Sequence, residues 1–143
     1  MQLKTTTDYA IRTLIYLAEK GGISSSTEVA DRMRIPHKYL INTAKYMKNA
    51  GLICTHNGSN GGYSLAKNPE DITLLDIVNV MEGTMKISRC IEADMHCSRF
   101  AAATCPLRTF YLELQSEMED HLRSTSIGSL LEQSNSKGKI IEM

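Results

Sequence analysis

The stretch HKYLINTAKYMKNAGLICTHNGSNGGYSLA, residues 37–66, decides the fold. Its first part follows Pro36 and ends at Gly51, a helix opened by proline and closed by a left-handed glycine. Drawn on a wheel, Leu40, Ala44 and Met47 fall on one side of that helix. Lys38, Asn42, Lys45 and Asn49, at i, i+4, i+7 and i+11, fall on the other. The apolar stripe can hold the helix against its neighbours. The polar stripe offers two cations and two amides, groups that touch phosphates and base edges in a major groove. A plain solvated face would carry the same residues, so the remainder of the stretch matters. It predicts two short strands, 52–56 and 63–66, around a loop of three glycines and two asparagines. Asn57-Gly58 is a strong turn signal, and Gly61-Gly62 supplies freedom for positive φ. A hairpin directly after the second helix of a helix-turn-helix is a wing.

Upstream, DYAIRTLIYLAEKGG places Ile11, Leu14, Ile15 and Ala18 at helical spacing, with Gly21 and Gly22 as the stop. SSSTEVADRMRI follows, with Ser25 and Glu28 at capping-box spacing before a short helix whose apolar face is Val29, Ala30 and Met33. Short helix, tight turn and longer helix form a helix-turn-helix. The fold class expected is therefore mostly α with a small β-wing: a winged helix-turn-helix over 1–82. Candidate DNA contacts are Ser26, His37, Lys38, Tyr39, Asn42 and Lys45 on the helices. In the wing they are His56, Asn57, Ser59, Asn60 and Gly61. Cys54, in the first wing strand, reads as a small buried apolar residue.

Downstream, TLLDIVNVMEG is another capped helix, with Thr73 and Asp76 at the box positions and Gly83 as the stop. It is expected to pack on the first helix. A cysteine-containing loop over 83–104 comes next. Pro106 then opens a long helix on which Leu107, Tyr111, Leu114, Met118 and Leu122 form a coiled-coil-like seam. That seam is expected to meet the same helix of a second copy, so 105–131 is read as the dimerisation helix with a following segment. A flexible tail is expected over 132–143.

Composition agrees with a regulator and narrows the alternatives. The net charge of zero conceals an asymmetry. Residues 1–67 carry nine Lys/Arg against four Asp/Glu, whereas 68–143 carry seven against twelve. A basic front and an acidic back suggest a polyanion-binding part joined to a part with another task. No apolar run reaches membrane-spanning length and no secretion signal opens the chain, so a cytoplasmic protein without a membrane association is expected. There is no Cys-x-x-Cys pair, no phosphate-binding glycine loop and no cofactor fingerprint, which argues against an enzyme.

Three of the four cysteines, Cys90, Cys97 and Cys105, crowd into RCIEADMHCSRFAAATCPLR, residues 89–108. A metal site, a redox switch and inert packing are the readings open. The flanking Glu92, Asp94, His96 and Arg99 mark an exposed loop, which disfavours packing. Zinc with His96 as fourth ligand is one metal reading, although structural zinc sites favour cysteine pairs two to four residues apart. An iron–sulfur cluster tolerates wider spacing and a non-cysteine fourth ligand. Spacing alone favours the cluster slightly.

The chain resembles the Rrf-type winged-helix transcription regulators, which include IscR, NsrR, RirA and CymR. The resemblance runs from residue 1 to about 131. It is carried by TDYAIRTLIYLA, YLINTAKYMKNAGLI, NGGYSLAK, ITLLDIV and TSIGSLL, and by the position of the three-cysteine loop. It implies a homodimeric repressor or activator on a palindromic operator in double-stranded DNA. It also implies an iron–sulfur cluster on Cys90, Cys97 and Cys105, four-iron rather than two-iron, that senses redox state, nitric oxide or iron status. NsrR-like members take a fourth ligand from an aspartate in the partner's first helix, and Asp8 stands at that position. IscR-like members use a histidine three residues after the last cysteine, where this chain has Arg108. Asp8 could equally be a helix N-terminal acid favoured by the macrodipole. The family's wing usually carries an arginine just before its first glycine, and here that place is Asn57. The alternative within the same fold is a cluster-free regulator: a thiol switch, a zinc-stabilised protein, or one acting through a partner.

Overall fold

The computed structural model describes residues 1–99 and 103–136. Its helices are α1 (Thr5–Lys20), α2 (Ser26–Met33), α3 (His37–Asn49), α4 (Leu74–Glu82), α5 (Pro106–Ser124) and α6 (Ile127–Asn135). The strands β1 (Ile53–His56) and β2 (Gly62–Leu65) form one antiparallel hairpin between α3 and α4. The winged helix-turn-helix is thus present in the expected order. One apolar cluster unites it: Leu14 and Leu17 of α1, Val29 of α2, Leu40 and Met47 of α3, and Ile77 of α4 are at most 1% exposed. Burying each such side chain contributes roughly 1.5–3 kcal/mol before entropy is counted.

The helix ends show how far local rules reach. Thr73 and Asp76 form the complete capping box at the start of α4, and Gly83 ends it at φ 74°. Pro106 stands in the first turn of α5. The box expected at Ser25 is half made: the Glu28 N–H donates to Ser25 Oγ at 3.1 Å. The Glu28 carboxylate turns instead to α1, accepting from Tyr16 Oη at 2.5 Å and from Lys20. Those two donors, Lys20 first, hold the Glu28 carboxyl below the usual carboxylate range. A tertiary partner has displaced a local one. The first turn of α1 has no cap of its own, and Glu82 from the end of α4 supplies it. The Lys4 N–H and Thr7 Oγ1 donate to its carboxylate at 3.2 and 2.7 Å, a favourable place for an anion.

The wing differs from expectation in four ways. Its second strand starts at Gly62, one residue early. Ser24 pairs with Tyr63 through two backbone hydrogen bonds of 2.9 and 2.8 Å, so the linker before α2 adds a single-residue third rung. Only Gly62 of the Gly61-Gly62 pair has positive φ, at 150°. Gly61 is required for closeness, because a Cβ there would lie 2.2 Å from the His56 carbonyl oxygen. Cys54 is exposed rather than buried. The hairpin has one covered face: Ile53 points inward, Cys54 outward opposite Ser64, and alternation leaves no choice.

Beyond the wing, Ile127 N–H donates to the Ile72 carbonyl at 2.9 Å and Leu74 N–H to Thr125 at 2.8 Å. These bonds bring α6 back against α1, and Ile127 is fully buried there. Residues 132–135, expected in the tail, are the last turn of α6, and the tail from 137 onward lies outside the described residues. Among the described residues no helix is long and apolar enough to cross a membrane.

Helix α5 divides the seam assigned to it. Its inward residue is Gln115, 3% exposed, while Met118 and Leu122 line a cavity with Leu3 and Val78 of the same chain. Leu107 and Leu114 are exposed, and Phe110 joins them at 54% exposure to make an apolar strip one helical sector away. Tyr111 is half-buried between the two.

Candidate nucleic-acid interface and cysteine site

The outer face of α3 has the composition expected of it. Lys38, Tyr39, Asn42 and Lys45 are exposed, and Leu40, Ala44 and Met47 beneath them are buried. His37 opens the helix, and its Nε2 lies 2.9 Å from Ser26 Oγ at the start of α2, joining the two helix entrances. Tyr39 packs on Tyr9 of α1, with ring centroids 6.3 Å apart. In the wing His56 Nε2 lies 2.8 Å from Ser64 Oγ on the opposite strand. Asn57, Ser59 and Asn60 form the exposed tip. The chain thus displays two helix entrances joined by Ser26 and His37, a helix face with two cations, and a polar hairpin tip. Gly61 alone among the candidates serves the turn rather than the surface.

The first part of the cysteine segment, residues 84–92, lies against α5 and is held there mostly by side chain to backbone hydrogen bonds. Gln115 Oε1 accepts from the Ile87 N–H at 3.0 Å, and its Nε2 donates to the Met85 carbonyl at 3.2 Å. Arg108 Nε donates to the Cys90 carbonyl at 3.2 Å. Glu119, hydrogen-bonded by Gln115 and Lys86, has its carboxyl held below the usual range. Sequence reasoning passed over these residues. The signal was available: Arg108, Gln115 and Glu119 stand at i, i+7 and i+11, a polar stripe on a helix read only for its apolar one.

Cys90, Cys97 and Cys105 line a single open cavity of about 350 Å³. All three are half-buried, and none is disulfide-bonded. Cys90 Sγ lies 3.3 Å from Ser88 Oγ. His96, Tyr111 and three arginines (Arg89, Arg99 and Arg108) share the lining with Ser88, Ser98 and Leu107, and no carboxylate belongs to it among the described residues. Arg89 is also paired with Asp94 at 2.5 Å. Among the described residues no three His, Cys, Asp or Glu side chains converge closely enough for one metal ion. A single zinc would draw its thiolates to within about 4 Å of one another through its short Zn–S bonds. Thiols spread around a wider cavity suit a larger, multi-iron group. Asp8 is elsewhere: exposed on α1, it pairs with Arg12 at 2.6 Å. Arg12 in turn donates to the Met33 carbonyl at 3.2 Å and lies over the Tyr9 ring at 5.4 Å.

The family model for Rrf2, described as an iron-dependent transcriptional regulator, matches residues 3–133. Protein rrf2 of Nitratidesulfovibrio vulgaris is 32% identical over 133 residues, 92% of this chain and 87% of that protein. The regulator NsrR of Shouchella clausii is 38% identical over 96 residues, 66% of this chain and 64% of its own length. Among solved structures CymR, the global cysteine regulator of B. subtilis, superposes with a TM-score of 0.75 at 26% identity. The match covers 91% of this chain and 95% of CymR. The chain belongs to the Rrf2 family and is a DNA-binding transcriptional regulator of winged helix-turn-helix fold, not an enzyme.

Proposed function

We propose that this regulator is a homodimer whose DNA affinity is governed by an iron–sulfur cluster held by Cys90, Cys97 and Cys105. The observation that carries the reading is the cavity: three thiols around one space between the cysteine segment and the long helix, where no three described donors converge on a single ion. The three arginines suit it, because a cluster with thiolate ligands is anionic. Zinc is disfavoured by the same spread. Loaded, the cluster supplies reactivity toward oxygen or nitric oxide and sensitivity to iron supply. The chain's own residues do the rest: Gln115 and Arg108 hold the segment on α5, and the exposed strip Leu107, Phe110 and Leu114 offers a surface for a second copy.

The fourth ligand is Asp8 of the partner subunit. Within one chain Asp8 does not line the cavity, and its carboxylate is exposed beside Arg12. Ligation across the dimer would link the cysteine segment of one subunit to helix α1 of the other. Because Arg12 and Tyr9 touch Met33 and Tyr39, that grip continues into the helix-turn-helix. The reading face on a palindromic operator consists of Ser26, His37, Lys38, Tyr39, Asn42 and Lys45 with the wing tip. Asn57 at its edge replaces the arginine of the usual wing, which removes a cation suited to a narrow minor groove. In organisation, 1–82 reads DNA, 83–104 senses, and 105–131 dimerises.

The test is anaerobic purification with iron and sulfide assays and a visible spectrum. Bound iron and sulfide with broad visible absorption, lost in Cys97→Ala while the winged core stays folded, is the expected result. A colourless protein that resists reconstitution overturns the cluster reading.

A further inference from the structure

A notch of about 140 Å³ lies between the start of α1 and the middle of α3, lined by Lys4, Thr6, Asn42, Thr43, Tyr46 and Met81. Its lining holds an unsatisfied group. Thr43 is fully buried, and its Oγ1 has no hydrogen-bond partner among the described residues. A buried hydroxyl left in that way calls for a partner from outside the fold. The donors around it are idle as well. Asn42 and Tyr46 are exposed, and their side chains make no hydrogen bond among the described residues. The Lys4 ammonium donates only to the Glu82 carbonyl oxygen, at 3.4 Å, and keeps donors to spare. The first turn of α1 adds the N–H groups of Thr5 and Thr6, which a helix start leaves unpaired and no described residue takes up. Glu82, the carboxylate that caps this turn through Lys4 N–H and Thr7 Oγ1, is not part of the lining.

We propose that the notch seats a phosphate of the DNA backbone at the rim of the groove read by α3, with Lys4, Thr6 and Tyr46 as added contacts and the Thr43 hydroxyl as a buried donor. Hydroxyls, amides, a lysine and the N–H groups of a helix start are the groups that hold DNA phosphates. Asn42 ties the notch to the reading face, because it belongs both to this lining and to the polar stripe between Lys38 and Lys45. The inference rests on α3 as the reading helix and extends its footprint to α1. A phosphate held there carries no base information; it fixes the orientation in which α3 enters the groove. The chain without DNA keeps an unsatisfied hydroxyl that the bound phosphate satisfies, so some stability is given up for affinity.

The test is fluorescence anisotropy of the full chain with a labelled duplex of random sequence over a series of salt concentrations, since non-specific binding is carried by phosphate contacts. Tyr46→Phe should weaken binding about tenfold, the worth of one hydrogen bond to a charged group, without changing the salt slope. Lys4→Gln should lower the slope by about one. Thr43→Val should weaken binding and yet raise the unfolding midpoint of the DNA-free chain, because a methyl of the same shape replaces an unpartnered hydroxyl. Lys45→Ala, on α3 outside the notch, is the control. If it weakens binding and the three notch variants do not, the seat is overturned and the reading helix stands. If none of the four weakens binding, both fall. A lower midpoint in Thr43→Val would mean that the hydroxyl has a partner inside the fold, which also overturns the proposal. Inorganic phosphate at matched ionic strength is the remaining arm. A midpoint raised in the parent chain but not in Tyr46→Phe, with equal duplex affinities, would make the notch a free-anion site and overturn its assignment to DNA.

Discussion

The winged core and the cysteine segment are held by different physics. The core is an apolar cluster drawn from five helices and the wing, with many side chains fully buried. Among the described residues the cysteine segment buries one large apolar side chain, Ile91, and otherwise depends on hydrogen bonds from Gln115 and Arg108. Burial is cumulative and tolerant of polarity elsewhere, whereas a few hydrogen bonds can be lost one at a time. The difference suits the roles proposed for them: a reader of DNA keeps its shape, and a sensor is drawn from the low-stability end of the molecule.

The comparison is broken most directly in the core. Leu40→Ala, at a fully buried position on α3, should cost about 2–5 kcal/mol in chemical denaturation. Cys105→Ser, in the segment, should leave the unfolding midpoint of the metal-free chain nearly unchanged. If the two variants unfold alike, the regions are one cooperative unit and the contrast fails.

Gln115→Ala should come next. It strands the Ile87 N–H and the Met85 carbonyl, a loss of about 1–3 kcal/mol in local stability. Hydrogen exchange should accelerate across residues 84–92 and stay slow in α1 and α3. Uniform acceleration would mean that the amide supports the whole fold.

Acid should act more gently and on both regions. The Glu28 and Glu119 carboxyls are held low in the folded state, Glu28 chiefly by Lys20 and Glu119 chiefly by Gln115. Their stabilisation is therefore complete above the ordinary carboxylate pKa and fades as pH falls through the depressed value. Glu28→Gln should lower stability at neutral pH and flatten the acid limb, so that the variant and the parent chain converge as pH falls. An unchanged limb would assign acid sensitivity to other groups.

The smallest structural effect belongs to the DNA face. Lys38→Ala and Lys45→Ala should each change folding stability by no more than about 0.5 kcal/mol. Each should reduce the salt slope of DNA binding by about one. A slope that does not move would place the phosphate contacts on another surface.

What was readable in the sequence follows the same division. Periodicity, the Thr73–Asp76 box and the glycines marked the helices because those signals are local, and the alternating faces of α3 emerged intact. Partnerships made across the fold were hidden. Glu28 looked like a capping residue until Tyr16 and Lys20 stood within reach of it. Gln115 went unremarked because polarity alone does not reveal a buried amide reading a neighbouring backbone. Cys54 was placed inside because its chemistry favours burial, while the one-sided wing put it out. Phe110 was missed because the seam was traced along Tyr111, one residue away on the helix. The three cysteines were legible in the sequence as a group, but only the fold shows that they line one space.

Gly62 has a consequence for regulation. A methyl group there would sit 2.1 Å from the Ser24 carbonyl oxygen, so the hairpin is clamped against the entrance of α2 with no slack. Ser26 and His37 fasten that entrance to α3. Hairpin and reading helix then turn as one block, and a signal that reaches the block cannot fold one over the other. In a pair of such blocks the adjustable quantity is their phase along the double helix. A change of state would be felt by an operator as a wrong spacing between its halves, with every base still spelled correctly.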